Sequence, residues 1–399
     1  MKFRHVPKST EGRVPRSWTC VENPLEDLKT RREDVDSWIM MRHAFSLILV
    51  VTLSSIPVWA AERYEFYNGV RALGMGGARV AVVNDETALL VNPAGLGKLR
   101  DYFITIADPE AGVGQETERI AGPDILKMTD PQDALDKLNK DKDTHLHERA
   151  QVFPSIVVPN FGLGIFGKYE VNAEVDSQTN TYLYDYTNDY AIVFGFNLRL
   201  WNGIVKIGTN ARITNRTEVR RDDLDPASTT LKLKELATEG VGVGSDVGLI
   251  LAAPIAWLPT LGAVYRDAGR TSYSLRDGMF MTTTDHPQST PASLDVALAL
   301  HPIMGKRLRS TWTVEYRDAL TDDEVETEDA MRRTHVGIEI NYADAFFVRG
   351  GMHQRYWSAG MELAIINYQF QVASYGEEIG TPDTPREDRR YVAKFAFRF

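Results

Sequence analysis

Val336-Gly337-Ile338-Glu339-Ile340-Asn341-Tyr342 places an aliphatic or aromatic side chain at every even position and a glycine, carboxylate or amide at every odd one. Successive side chains of an extended strand point to opposite faces, so this stretch has one apolar face and one polar face. The same alternation recurs on either side of it. Upstream, Val205, Ile207, Thr209, Ala211 and Ile213 alternate with Lys206, Gly208, Asn210, Arg212 and Thr214, and Leu294, Val296, Leu298 and Leu300 alternate with Ser293, Asp295 and Ala297. Trp312, Val314 and Tyr316 oppose Thr313, Glu315 and Arg317. Downstream the pattern returns in Trp357 to Leu363, in Ile366 to Val372, and in Tyr391, Ala393, Phe395, Phe397 and Phe399 against Val392, Lys394, Ala396 and Arg398.

Fourteen such segments are predicted, near 102–107, 150–158, 161–171, 188–199, 204–218, 241–252, 258–267, 292–301, 308–317, 333–342, 345–353, 356–364, 366–376 and 390–399. Their connections sort by length. The odd-numbered ones are long (108–149, 172–187, 219–240, 268–291, 318–332, 377–389) and the even-numbered ones are tight; only the eleventh, around Gln354, breaks the rule. Long loops at one end, short turns at the other and an even strand count describe an all-β, fourteen-stranded antiparallel transmembrane β-barrel. Aromatic residues predicted at strand ends (Tyr190, Trp201, Trp257, Phe346, Phe347, Tyr356, Trp357, Tyr375, Tyr391) suit the two membrane interfaces. A soluble β-sandwich also alternates, but its polar face looks outward and its connections need not sort by length. The uncharged run Val247–Tyr265 is long enough for a membrane helix, yet Pro254 and Pro259 would each break one, so two strands and a turn are predicted there.

Composition narrows the classes further. The 399 residues are 43% hydrophobic, 25% charged and 10% aromatic, which excludes a disordered chain. A formal charge of -10 gives no general attraction to nucleic acid, and the single cysteine, Cys20, excludes a disulfide framework or a zinc site of several thiolates. Met40 to Ala60, a short cationic start followed by an uncharged run and Val58-Trp59-Ala60, reads as an export signal cleaved after Ala60. The preceding 1–39 are polar and mixed in charge; they read as a non-native or disordered extension, with a cytosolic domain the other reading. The mature chain then divides into a segment 61–100 and a barrel 101–399.

Residues 61–100 have a different texture. Gly74, Gly76 and Gly77 allow backbone to pack on backbone, Asp85 is placed to cap a short helix running to about Val91, and Asn92-Pro93 stops it. The segment reads as a compact plug.

The run Arg71-Ala72-Leu73-Gly74-Met75-Gly76-Gly77-Ala78, the turn at Asp85 and the motif Asn92-Pro93-Ala94-Gly95-Leu96 resemble the FadL-type outer-membrane transporters and the related PorV-like proteins. The resemblance implies an N-terminal hatch plugging the lumen, with Gly74, Gly76, Gly77, Asp85, Asn92, Pro93 and Ala94 as hatch residues. The carboxy-terminal strand is similar to the aromatic-ended signal read by the barrel assembly machinery, which implicates Tyr391, Phe395, Phe397 and Phe399. Localisation in the bacterial outer membrane, contact with its lipid, and facilitated diffusion of hydrophobic small molecules such as long-chain fatty-acid-like ligands follow from the same resemblance. So does release sideways through a gap in the wall. A PorV-like scaffold for secreted or surface proteins, with no ligand flux, is the alternative; the inward Asp295, Glu315, Glu339 and Glu362 keep it open, because an apolar lumen would suit transport and a polar one the scaffold.

Other motifs carry less. Gly162-Leu163-Gly164-Ile165-Phe166-Gly167 has dinucleotide-like glycine spacing but continues as a strand where that motif needs a helix. His145 and His147 have no partners nearby in sequence to complete a metal site, and in Gly244-Ser245-Asp246-Val247-Gly248 the serine sits one place too early for a nucleophile elbow. No catalytic residue, metal or cofactor is assigned. In the first long loop, Asp130-Pro131 predicts the start of a surface helix. Its Ile125, Leu126, Met128, Ala134, Leu135 and Leu138 either pack the helix onto neighbouring loops or line a first landing site for an apolar ligand.

Overall fold

The wall has fourteen strands: β1 (Phe103–Ala107 and Glu110–Gly114), β2 (Leu146–Val152 and Ser155–Val158), β3 (Phe161–Asp176), β4 (Thr181–Leu200), β5 (Val205–Leu224), β6 (Thr238–Ala252), β7 (Thr260–Arg266), β8 (Ser293–Leu300), β9 (Leu308–Tyr316), β10 (Thr334–Tyr342), β11 (Phe346–His353), β12 (Tyr356–Ile365), β13 (Tyr368–Glu378) and β14 (Glu387–Arg398). This computed structural model describes residues 65–320, 330–381 and 384–399. The predicted extension 1–39, the export signal 40–60 and positions 61–64 lie outside the described residues, as do 321–329, 382 and 383.

Each strand pairs antiparallel with its neighbours, and β14 pairs with both pieces of β1, which closes the sheet. Closure leaves no edge, so backbone donors and acceptors are satisfied by pairing even where lipid surrounds the wall. Alternation sorts the faces. In β10, Ile338 and Ile340 are exposed outside while His335 and Glu339 are buried inside, and β5, β8 and β14 repeat the arrangement. The tight turns use positive φ, as at Ala343 and Asp344 (57° and 56°), the conformation that matches a two-residue hairpin to strand twist.

Three boundaries differ from the sequence expectation. The first long loop is 115–145, because β1 resumes at Glu110 and β2 begins at Leu146. The third connection is the four-residue turn 177–180 rather than a long loop, since β3 and β4 run for 16 and 20 residues. The fifth shrinks to 225–237 for the same reason. A membrane needs only about ten residues per tilted strand, so β3 to β6 stand well clear of it on the long-loop side. Tyr375 also departs from expectation: it points inward and is buried against His353 rather than joining an interfacial belt.

The outer face of that extension is not bare. Val171, Ala173 and Val175 of β3, Tyr182, Tyr184 and Tyr186 of β4 and Val219 of β5 continue the outward parity yet are buried. They are covered by the loop helices α3 (Gln115–Ala121) and α4 (Pro131–Leu138), through Ala121, Met128, Ala134, Leu135 and Leu138. Asp130 caps α4 by accepting from the amides of Gln132 and Asp133, and Pro131 opens it. The hydroxyls of Tyr182 and Tyr184 donate to the carbonyls of Pro131 and Thr129, at 2.9 and 2.7 Å. The apolar residues of this loop therefore form a core on the barrel's outer side. Ile125 packs at its margin; the Leu126 side chain lies outside the described residues.

Candidate functional site: a filled lumen and a broken wall

The amino-terminal segment, whose first helix is α1 (Val70–Gly74), lies within the ring of strands, and all of its sequence-predicted residues but Asp85 meet the wall. Gly74 faces Gly360, where an added Cβ would stand 3.1 Å from backbone. Gly76 (φ +66°) is wedged between β10 and β11: a Cβ there would come within 2.2 Å of the Val336 carbonyl oxygen, and Gly337 and Gly351 are equally tight against Met75 and Gly76. The Gly76 amide donates to Ser358 Oγ (2.8 Å), and its carbonyl lies 2.8 Å from His335 Nδ1. Arg317 donates to the Gly77 carbonyl.

On the opposite side, Asn92 is fully buried. Its Oδ1 accepts from the Ala94 amide (3.1 Å) and its Nδ2 donates to the carbonyls of Val80 (3.0 Å) and, across to β7, Ala263 (3.3 Å). The peptide between Pro93 and Ala94 rests on Gly208, where a Cβ would fall 2.3 Å from the Pro93 carbonyl carbon. Asn197 donates to the Ala94 carbonyl. A short helix, α2 (Ala88–Val91), precedes this motif with Thr87 as its N-cap residue. Asp85 Oδ1 accepts from the Thr87 amide, and its other oxygen pairs with Arg71 at 2.8 Å.

The inward carboxylates hold this segment. Glu339 takes both arms of Arg71 (2.9 and 3.0 Å), and Glu315 accepts from the amides of Arg79 and Val80 (2.7 Å each). Asp295 binds Arg266 and Glu362 binds Arg349 within the wall. Buried charge is tolerable only when paired, and these pairs meet that condition. Two interior cavities beside the segment, about 30 and 50 Å³, leave room for a few waters each.

Among the described residues, the wall is interrupted between β1 and β2. Prolines 109 and 154 break β1 and β2 at the same level, and the ladder between them lapses from the Thr105–Ser155 pair to the Glu110–Gln151 pair. The Asp108 carboxylate bridges the lapse: it accepts from the Phe153 amide and pairs with Lys394 Nζ at 2.9 Å. Outside, a hollow of about 510 Å³ opens across β14, β1, β2 and β3. In-register small residues, Ala393, Ala111 and Ala150, form its floor with Gly167, and Phe370, Phe395, Tyr169 and Tyr190 flank it. Inside, Phe66, Tyr67 and Phe153 crowd around Phe166 with ring centroids 4.8, 5.9 and 6.3 Å away. Apolar surface thus stands on both sides of the break.

No family model and no curated protein matches the sequence. Solved structures do. The toluene transporter TodX of Pseudomonas putida aligns with a TM-score of 0.50 at 12% identity, over 84% of this chain and 98% of its own. The toluene transporter TbuX of Ralstonia pickettii (0.46, 13%, 83% and 98%) and a FadL homologue of Pseudomonas aeruginosa (0.44, 10%, 85% and 98%) are also similar. The fold is that of the FadL-type outer-membrane barrels.

In this FadL-type barrel the remaining sequence candidates have structural places. Gly162 and Gly164 face inward against Leu89 and Phe153, where larger side chains would collide. His147 is buried with its Nδ1 2.8 Å from Asn172 Oδ1, and His145 approaches Glu174. Tyr391, Phe395, Phe397 and Phe399 project outward, and Tyr368 stacks near Phe395 and Phe397 at 6.0 and 5.2 Å. The resemblance implies a gap in the wall but attaches no residues to it, although the signals are present: a proline in each of two adjacent strands and small residues at outward positions among aromatics.

Proposed function

We propose that this chain is an outer-membrane channel for hydrophobic small molecules, which move by facilitated diffusion and leave sideways through the break between β1 and β2. The paired proline interruptions, with an apolar hollow outside and an aromatic cluster inside, carry this reading. TodX, whose barrel it shares, is a toluene transporter. Long-chain fatty-acid-like ligands fit the hollow through their tails. Their carboxylate finds little there, since Lys394 is engaged by Asp108 and Lys168 Nζ by the Glu65 carbonyl (2.7 Å) and Glu170 (2.9 Å). Neutral hydrocarbons are therefore the better fit within the class.

Filling the hollow tests this. Ala111→Trp combined with Gly167→Trp adds bulk on the lipid side without touching the lumen. Toluene entry into proteoliposomes is expected to fall at least fivefold, with heat-modifiable migration on a gel retained to show folding; unchanged entry in the folded variant contradicts the exit.

A PorV-like scaffold is the second reading, and two observations favour it: the lumen is charged rather than apolar, and the collar of loops on one side offers a broad protein surface. It predicts protein partners in gentle detergent extracts and no effect of the two tryptophans on toluene entry.

A further inference from the structure

Strand β6 outlasts its neighbour β7, which ends at Arg266, so the upper part of β6 would be a bare edge. The connection 268–291 covers it. The Ala268 and Leu275 amides donate to the carbonyls of Ser245 and Val241, and Arg276-Asp277 pairs with Val241-Gly240. The chain then passes to the outer side. Glu239 and Asn215 share the outward parity of the exposed Val243 and Ile213, yet Glu239 is fully buried, because residues 279–281 lie over it. Its carboxylate accepts from three successive amides, Met279 (3.1 Å), Phe280 (3.2 Å) and Met281 (2.5 Å), while Asn215 Oδ1 also accepts from Met279 (3.0 Å). Gly278 has no room for a Cβ beside Glu239. The turn is thus held rigidly by a buried anion.

What this turn presents is apolar. Met279 and Phe280 are 72% and 68% exposed, and the Phe280 ring sits 5.7 Å from Tyr190, itself on the lipid-facing side. Tyr190 pairs with Asn215 and Asn215 with Val241; the next outward row, Ile192, Ile213 and Val243, is fully in the apolar band, only about 7 Å lower. Exposed apolar side chains fixed at that height, continuous with a lipid-facing surface, match the acyl–headgroup boundary of a bilayer, where aromatic rings concentrate.

We infer that Met279 and Phe280 form a membrane foot, inserted into the bilayer leaflet on the long-loop side and held there by Glu239. The inference rests on the lipid-facing band alone and stands whether or not the barrel carries a ligand.

Nitroxide labels at Phe280→Cys and, separately, Met279→Cys test it in a Cys20→Ser background, which leaves no other thiol. The full chain is reconstituted in phosphatidylethanolamine–phosphatidylglycerol vesicles, and collision with oxygen is compared with collision with a water-soluble nickel chelate. Ile192→Cys in the apolar band and Gln178→Cys in the 177–180 turn serve as references. The expected result is an oxygen preference like that of position 192, lost when Glu239→Gln is added. A nickel preference like that of position 178, at either labelled site, overturns the foot.

Discussion

Gly76 shows how a single position couples the amino-terminal segment to the wall. Its left-handed φ costs a non-glycine residue about 1–2 kcal/mol before any clash, and the Val336 carbonyl adds one at 2.2 Å. Gly76→Val is therefore expected to displace the segment and raise sucrose leakage through proteoliposomes, whereas an unchanged leak would mean that the segment does not close the lumen. Asn92→Ala removes three hydrogen bonds, two of them buried, each worth about 1 kcal/mol, and should act in the same direction. Both positions stood out in the sequence, Gly76 because a glycine run lets backbone pack on backbone and Asn92 because it belongs to the Asn-Pro-Ala-Gly-Leu motif of the resemblance. Their partners did not: Val336, Met352 and Ala263 lie some 170 to 280 residues away, and nothing local in the chain encodes that proximity. Asp85 illustrates the limit, since its residue type suggested a helix cap while its second oxygen serves Arg71.

Strands were legible wherever one face meets lipid and the other meets charge. Past Val171, where the predicted strand stops at a membrane-spanning length, the alternation continues in Ala173 and Val175, and only the covering helices explain why those residues stay apolar. Loop 115–145 is thus a structural part of the barrel's flank. Its helix α4 depends on Asp130, and Asp130→Ala is expected to cost about 1 kcal/mol. Tryptic cleavage at Lys137 or Lys140 in the folded protein should then accelerate about fivefold, because cleavage follows the population of the opened loop. An unaltered rate would indicate that packing of Leu135 and Leu138 suffices without the cap. The place of the wall break was hidden for a different reason: Pro109 fell in the assumed first loop and Pro154 inside an assumed strand, and only pairing brings them to one level.

Across the molecule, sidedness follows from composition and period. An apolar exterior and a charged interior were both readable, whereas the neutralisation of that interior was only partly so: Glu315 pairs with Arg317 and Glu339 with Arg349 within the wall, but the bonds to the Arg79 amide and to Arg71 form only with the amino-terminal segment in place. With the lumen so filled, the proposed exit is through the flank, at the hollow beside β1 and β2. Ala150, on its floor, offers a reversible test. In a Cys20→Ser, Ala150→Cys variant, toluene entry into proteoliposomes is measured before modification, after a benzyl methanethiosulfonate has filled the hollow, and after dithiothreitol has removed it. Exit through the hollow requires a fall of at least fivefold on modification and full recovery on reduction; a rate indifferent to both treatments would rule that exit out.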